Sequence, residues 1–392
     1  MKVSQRVQNL EESATIAVGN KAAKMRAAGA DVVIMGAGEP DFDTPAHIKA
    51  AALKALEAGE TKYAKPASGI PALKQAVARK LQRENGLTYD PASQTLVTVG
   101  GKEALWLAFA TVLDPGDEVI IPAPYWVSYP EQVKLCGGVP VIANASTQND
   151  FKLTPAQLAA AVTPRTRALV FNSPSNPTGS AYSPAETDAL AAVLEGRDIL
   201  VFSDEIYDRL LFGGRAYKSW AAHSPHAYAH TLTFNAGSKT YAMTGWRIGY
   251  VAGPAELIAG MGKLQSQTTS GAATFTMHAL AAALDGDQQC VEDMRAEFER
   301  RARHLHARLN DLPGVDCPEP MGAFYAFPDV SATFGKLGVQ GSMAFASKLL
   351  DEALVAVVPG EAFGADNCVR FSFATSMAQI DKCCDRLEKF LA

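Results

Sequence analysis

An α/β fold is predicted, with a large domain built on a mostly parallel sheet flanked by helices and a smaller α+β domain after it. Three observations predict it. Strand-like apolar runs alternate with helix-like segments from about residue 45 onward. The succession changes near residue 290, where a charged amphipathic helix begins. The 392 residues exceed one ordinary small domain. The chain is therefore read as an N-terminal segment, 1–45, packing with the small domain, a large domain, 46–290, and a C-terminal domain, 291–392.

The elements follow in order. Ile48, Ala52, Leu53 and Leu56 keep helical spacing. Pro71 opens a second helix at a position proline tolerates, with Leu73, Val77 and Leu81 on one face. TLVTV, from Thr95, reads as a strand running into Gly100, Gly101 and the helix KEALWLAFATVL. Strand-like runs recur at EVIIP, VPVIA, RALVF, ILVFS, TLTF and RIGYVAG, with helical segments between several of them. Beyond residue 290 come the amphipathic helix AEFERRARHLHARLNDL, the stretch FYAFPDV, an apolar helix around SKLLDEALVAVV, the strand CVRFSFA and a last helix, QIDKCCDRLEKFLA.

Composition narrows the function classes. The chain is 48% hydrophobic and 20% charged, with a formal net charge of −5 and no basic block, so the footprint of a nucleic-acid binder is missing. No apolar run reaches the length of a membrane span, and the first residues lack a secretory signature. A DNA-binding module ahead of the main domain is not expected. The six cysteines, Cys136, Cys290, Cys317, Cys368, Cys383 and Cys384, form no CxxC pair and no zinc spacing with histidine. Reduced thiols in a cytoplasmic protein without a metal site are expected.

In open parallel sheets, ligands bind beyond the carboxyl ends of the strands. Several groups gather there in this sequence. RALVF ends in Asn172 and continues through Asn176-Pro177-Thr178-Gly179. ILVFS ends in Asp204, with Tyr207 three residues on. TLTF leads to Lys239, and TLVTV ends in Gly100-Gly101 at a helix start, where free N–H groups favour a phosphate. Each has an ordinary structural reading. The Asn-Pro-Thr-Gly run is turn chemistry, Asp204 suits a helix cap, Trp126 suits a core, and Arg370 suits an edge-strand surface. Together they match one requirement: a lysine for an aldehyde, an acid for a pyridinium nitrogen, phosphate donors and an aromatic ring face, as a pyridoxal phosphate enzyme needs.

With these groups the chain resembles fold-type I pyridoxal phosphate enzymes. More narrowly, it resembles class I aminotransferases of the subgroup that holds thermophile-type aspartate aminotransferases and prephenate aminotransferases. The motifs run in order along nearly the whole chain: GEPDFDTP from Gly38, KYAKPASGIPALK from Lys62, VTVGGKEAL from Val97 and PYWVSYPE from Pro124, then NSPSNPTG from Asn172, SDEIYD from Ser203, SKTYAMTGWRIGY from Ser238 and VRFSFATS from Val369.

The resemblance implies roles. Lys239 would carry the pyridoxal 5'-phosphate of domain 46–290 as a Schiff base and move the substrate proton, and Asp204 would keep the pyridine nitrogen protonated. Tyr207 and Asn176 would bond the phenolic oxygen, and Trp126 would stack on the ring. Gly101 and Lys102, by backbone N–H, with Ser238 and Arg247, would bind the phosphate. Tyr63 is similar to a tyrosine that reaches the partner subunit's phosphate, implying a homodimer. Arg370 would clamp the substrate α-carboxylate through two parallel hydrogen bonds, and Gly38 would approach the same substrate. One position departs from many relatives: Ala236 stands where they carry a serine phosphate ligand, leaving one donor missing or replaced, Ser238 being the candidate.

The implied reaction is a ping-pong transamination between amino acids and 2-oxo acids. Lys102 and Thr15 match positions that read a distal carboxylate, and no arginine in QSQTTSGAATF takes that role. Aspartate or glutamate with 2-oxoglutarate or oxaloacetate is therefore expected, with prephenate as an additional acceptor. The alternative is an alanine or aromatic aminotransferase or a carbon–sulfur β-lyase on the same fold, since fold does not fix chemistry.

Overall fold

Strand and helix boundaries follow the side-chain periodicity closely. The computed structural model describes residues 2–8, 10 and 14–392, and only the backbone of residues 6 and 14–18. Strands are β1 (Val33–Ile34), β2 (Thr95–Thr98), β3 (Glu118–Ala123), β4 (Val139–Asn144), β5 (Thr166–Asn172), β6 (Leu200–Asp204), β7 (Thr231–Ala236), β8 (Gly249–Ala252), β9 (Tyr325–Ala326), β10 (Val355–Ala356), β11 (Val358–Pro359) and β12 (Val369–Ser372). Helices that matter below are α1 (Ala14–Ala27), α2 (Ala46–Glu57), α3 (Pro71–Asn85), α4 (Gly100–Val112), α5 (Ser128–Leu135), α6 (Thr274–Asp285), α7 (Gln289–Asn310), α8 (Gly341–Ala353) and α9 (Met377–Leu391).

The main sheet has the order β2-β8-β7-β6-β5-β3-β4. Neighbours from β7 to β4 are parallel. β8 runs antiparallel to both β2 and β7. The alternation of elements alone does not reveal that exception. A parallel partner needs a crossover that carries the chain back to the opposite edge. The link from β7 to β8 holds only a four-residue helix and a 3-10 turn, so it stays at one edge and reverses direction.

Period-two alternation sends strand neighbours to opposite faces. Val170, Phe202, Phe234, Val251 and Leu96 pack with Leu105 and Phe109 of α4. Leu169, Phe171 and Val201 pack on the other side with Leu190 and Trp220. Pro71 sits at the start of α3, and Gly86 ends that helix in the left-handed region, as the composition of the helix ends suggests.

A second core surrounds a small antiparallel sheet of order β11-β12-β9. β1 pairs in parallel with β10, and Ser372 N–H donates to Met35 O at 2.6 Å, so residues 33–35 lie against the C-terminal part. α7 is one continuous helix whose Val291 packs with the large-sheet core and whose Met294 and Phe298 pack with the C-terminal core.

Two local expectations change. The apolar helix around SKLLDEALVAVV stops at Ala353. Leu354 takes a positive φ of 55°, and the β-branched valines beyond it enter β10 and β11. In α2, Ile48, Ala52 and Ala55 are buried, whereas Leu53 and Leu56 are 60% and 41% exposed. No helix among the described residues is long and apolar enough to cross a membrane.

Candidate active site

The carboxyl ends of β5, β6 and β7 lie side by side. Asn172 is opposite Asp204, and Asp204 opposite Phe234. Beyond them opens a cavity of about 280 Å³, near the lower end of small-molecule sites. Nine sequence-derived candidates line it: Gly38, Gly101, Lys102, Trp126, Asn176, Asp204, Tyr207, Lys239 and Arg370. Ser238 is buried next to Lys239 without lining the cavity, and Arg247 stands against Gly100. Tyr63 does not line the cavity and is 83% exposed. Thr15 belongs to α1, and its side chain lies outside the described residues.

Lys239 follows β7 in a one-turn helix, and its Nζ donates to Gly38 O at 2.5 Å. Burial lowers its pKa to about 8. Arg370 and Arg247 push the same way, while Glu39 and Asp204 oppose them. An amine so placed is a nucleophile toward carbonyl carbon and a base at near-neutral pH.

Asp204 is buried at the end of β6. Burial raises its pKa, against the hydrogen bond from Tyr129 Oη to Oδ2 (2.6 Å), the Ile206 N–H and the charge of Lys239. Asn172 Nδ2 donates to the Asp204 backbone O at 3.0 Å and fixes the strand end. Tyr207 meets Tyr325 with hydroxyls 3.1 Å apart, and burial pushes both phenols up.

Arg370 comes from β12, yet it reaches the large-sheet site. Nη1 donates to Asn176 Oδ1 at 2.8 Å and Nη2 to Gly36 O at 3.0 Å, while the buried Nε has no partner. The guanidinium stacks 4.4 Å from the Tyr325 ring centroid and 5.0 Å from that of Phe363. Of its five N–H donors the protein takes two and buries the one on Nε, so one N–H on each Nη stays unclaimed, a pair whose spacing matches a carboxylate.

The start of α4 is built for close approach. Gly100 has a φ of +75°, and a side chain there would strike the Arg247 guanidinium. Gly249 in β8 has no room for a Cβ, which would lie 2.8 Å from Gly100 C and 2.9 Å from Gly101 N. The N-cap residue Val99 offers no side-chain cap, while Glu103 Oε2 accepts from the Val99 N–H at 2.5 Å, and the positive end of the helix dipole lies beside Arg247. Lys102 extends over Trp126, with Nζ 5.0 Å from the ring centroid. Burial and the Arg247 charge lower its pKa.

A glycine-rich helix start next to an arginine, a buried carboxylate, an amine of suppressed basicity and an aromatic wall border one cavity. These residues fit a phosphorylated aromatic aldehyde. Sequence reasoning missed Tyr129 and Tyr325 as members of the site, and it placed Asn172 at the strand ends without giving it a role. Tyr129 stands three residues after Trp126, one helical turn, which is a usable signal. Tyr325 carries no such mark, because it enters from the small sheet.

Residues 30–387 match the family model for aminotransferase class I and II. The chain is similar to an aspartate aminotransferase of Geobacillus stearothermophilus, 48% identical over 391 residues, covering 100% of this chain and 99% of that protein. It is similar to an aspartate/prephenate aminotransferase of Cereibacter sphaeroides, 50% identical over 396 residues, with 100% and 98% covered. Among solved structures it is similar to the Thermus thermophilus aspartate aminotransferase with maleate, at a TM-score of 0.93, 45% identity and full coverage of both chains.

Proposed function

The chain belongs to the class I and II aminotransferases, and we propose that it moves an amino group between aspartate or glutamate and 2-oxoglutarate or oxaloacetate, with prephenate as a further acceptor. One observation carries the choice of substrate. Arg370 and Lys102 are two cationic side chains on the same cavity, which suits a substrate with two carboxylates. That relatives bear the names aspartate and aspartate/prephenate aminotransferase, one of them with maleate bound, supports the same reading.

This family uses pyridoxal phosphate, which when bound supplies an aldehyde for amines and a ring that withdraws electrons from the substrate Cα. In this reading Lys239 would hold it through Nζ, and Asp204 would sit at its ring nitrogen. Gly101 and Lys102 backbone N–H, Ser238 and Arg247 would take the phosphate. Trp126 would cover the ring face, and Tyr207 and Asn176 would bond the phenolic oxygen. Ser238, buried beside Lys239, is the candidate to stand in for the donor that Ala236 lacks.

The chain's own groups then do the following. Arg370 binds the α-carboxylate with donors that Asn176 and Gly36 leave free, and so orients Cα. Lys102 meets the distal carboxylate. Lys239 Nζ, able to shed its proton near pH 8, takes the proton from Cα of the amino acid in one half-reaction and delivers a proton to Cα of the 2-oxo acid in the other, and its fixed place beside Cα makes each transfer effectively intramolecular. Tyr129 donates to Asp204 Oδ2 and so opposes the burial that raises the pKa of this carboxylate.

The experiment that tests the substrate choice is Lys102→Ala with aspartate and alanine as donors. Losing one hydrogen bond to a charged group costs about 1.5–3 kcal/mol, or roughly 10- to 150-fold in kcat/KM for aspartate. Alanine should change little. An unaltered ratio of aspartate to alanine turnover removes the acidic-substrate reading.

A homodimer belongs to the same proposal. Leu53, Leu56 and Tyr63 are exposed apolar side chains, and a second copy would cover them and receive Tyr63. Sedimentation equilibrium at micromolar concentration should give twice the chain mass, and a monomer would count against it. None of the six cysteines forms a disulfide and four of them are buried, which supports a reducing cytoplasmic setting.

A further inference from the structure

Behind the site, on the side of the Ser203–Asp208 segment turned away from the cavity, lies a buried polar cluster that the mechanism does not use. Asp204, Ile206 and Tyr207 face the cavity. Glu205 and Asp208 face the opposite way and are themselves buried. Glu205 Oε1 accepts from Ser203 Oγ at 2.8 Å and Ser219 Oγ at 2.5 Å, and its Oε2 accepts from Asn85 Nδ2 at 2.9 Å. Lys80 Nζ donates to Asn85 Oδ1 at 2.7 Å and pairs with Asp208 Oδ2. The Glu205 backbone is held as well, its O by Asn235 Nδ2 at 2.9 Å and its N–H by Phe234 O at 3.0 Å.

The arrangement joins α3 to a segment more than a hundred residues away. Asp208 Oδ1 has no partner, so Lys80 is the main compensation for that carboxylate. Glu84 stands 3.7 Å from Lys80 and is itself paired with Arg209. A buried ion pair adds little stability over a well-packed apolar pair of the same size, because desolvation offsets attraction. What such a network does impose is a single geometry.

We propose that Lys80, Asn85, Glu205 and Asp208 are positioning residues, a buried clamp that fixes the 204–208 segment from behind and so aims Asp204 and Tyr207 into the cavity. This rests on the reading that Asp204 and Tyr207 act on the bound cofactor there. The charged groups facing Lys239 are Glu39, Arg370, Arg247 and Asp204, and of these only Asp204 stands on the clamped segment. A loosened clamp therefore reaches Lys239 through Asp204.

The test compares the wild-type holoenzyme with Lys80→Met and with Lys80→Met/Asp208→Asn, the second of which removes both charges and keeps the fold accessible if the first unfolds. Three quantities are read: thermal stability, the pH titration of the absorbance of the cofactor attached at Lys239, and kcat and KM for aspartate. The double variant is expected to melt near the wild type. Its kcat should fall by up to ~10²-fold with KM within about threefold, and its titration midpoint should move by about one pH unit, as misplacement of reacting groups predicts. A folded variant with an unmoved midpoint and kcat within about twofold of the wild type overturns the clamp, because a purely structural role leaves both in place. Borohydride fixation in the wild type separates the two failures. No adduct at Lys239 sinks the functional reading, whereas a wild-type adduct with unshifted variants sinks the clamp alone.

Discussion

Lys239→Ala is expected to lower kcat for aspartate by about 10⁴-fold or more, the upper range for losing a positioned proton-transfer group, and to leave no borohydride-stable cofactor adduct. The physical reason lies in the burial of the amine. At pH 7 a lysine titrating near 8 rather than 10.5 holds roughly 300-fold more free base. Attachment of the aldehyde to cofactor-free wild type should therefore rise with pH and level off above about 8. The sign for stability follows from the same pair of values. Between about 8 and 10.5 the unfolded chain keeps a proton at Lys239 that the folded chain has released. This group's contribution thus makes the cofactor-free protein more stable as pH rises through that window, and adds no slope below it. Mass spectrometry of the reduced protein locates the adduct. Attachment that keeps climbing to pH 10 would mean that the amine is solvated like any surface lysine.

Legibility in the sequence followed distance along the chain. Strand ends carry their own chemistry in adjacent letters, so Asn172, Asp204 and Lys239 could be placed at one edge from the runs RALVF, ILVFS and TLTF. The parallel sheet was legible for the same reason, because each strand is followed by its own helix. The reversal of β8 was not, since it depends on how little chain lies between Ala236 and Gly249. Gly249 itself looks like an ordinary strand glycine until β8 is found pressed against Gly100 and Gly101.

Contacts between distant segments were the hardest to read. Tyr325 reaches Tyr207 from the small sheet, and nothing in FYAFPDV announces a site residue. Lys80 sits in PALKQAVARKLQREN, where lysine usually marks a solvated helix face. Its burial against Asp208 follows from tertiary packing alone. The exposed pair Leu53 and Leu56 shows the converse: helical spacing finds an apolar stripe and is silent on whether this chain or another one covers it.

Arg370→Lys is expected to lower kcat/KM for every amino donor by roughly 10- to 150-fold, aspartate and alanine alike, because every donor carries the α-carboxylate. Lysine keeps the charge and loses the fork. In the wild type, one guanidinium can serve Asn176, Gly36 and a carboxylate at once, since its five donors point in fixed directions. A single ammonium cannot hold the two protein acceptors and still present two parallel bonds to substrate. Its stack on Tyr325 and Phe363 is lost as well, and with it the plane in which the carboxylate is received. The loss should therefore fall mainly on KM when the donor concentration is varied, with a thermal melt showing that the variant folds. This pattern contrasts with that of Lys102→Ala, which should penalise aspartate and spare alanine. Equal effects of both substitutions on both donors would mean that the two cations do not divide the substrate's carboxylates between them. An Arg370→Lys enzyme with undiminished kcat/KM would remove Arg370 from substrate binding and leave it as a purely structural link between β12 and the Asn176 turn.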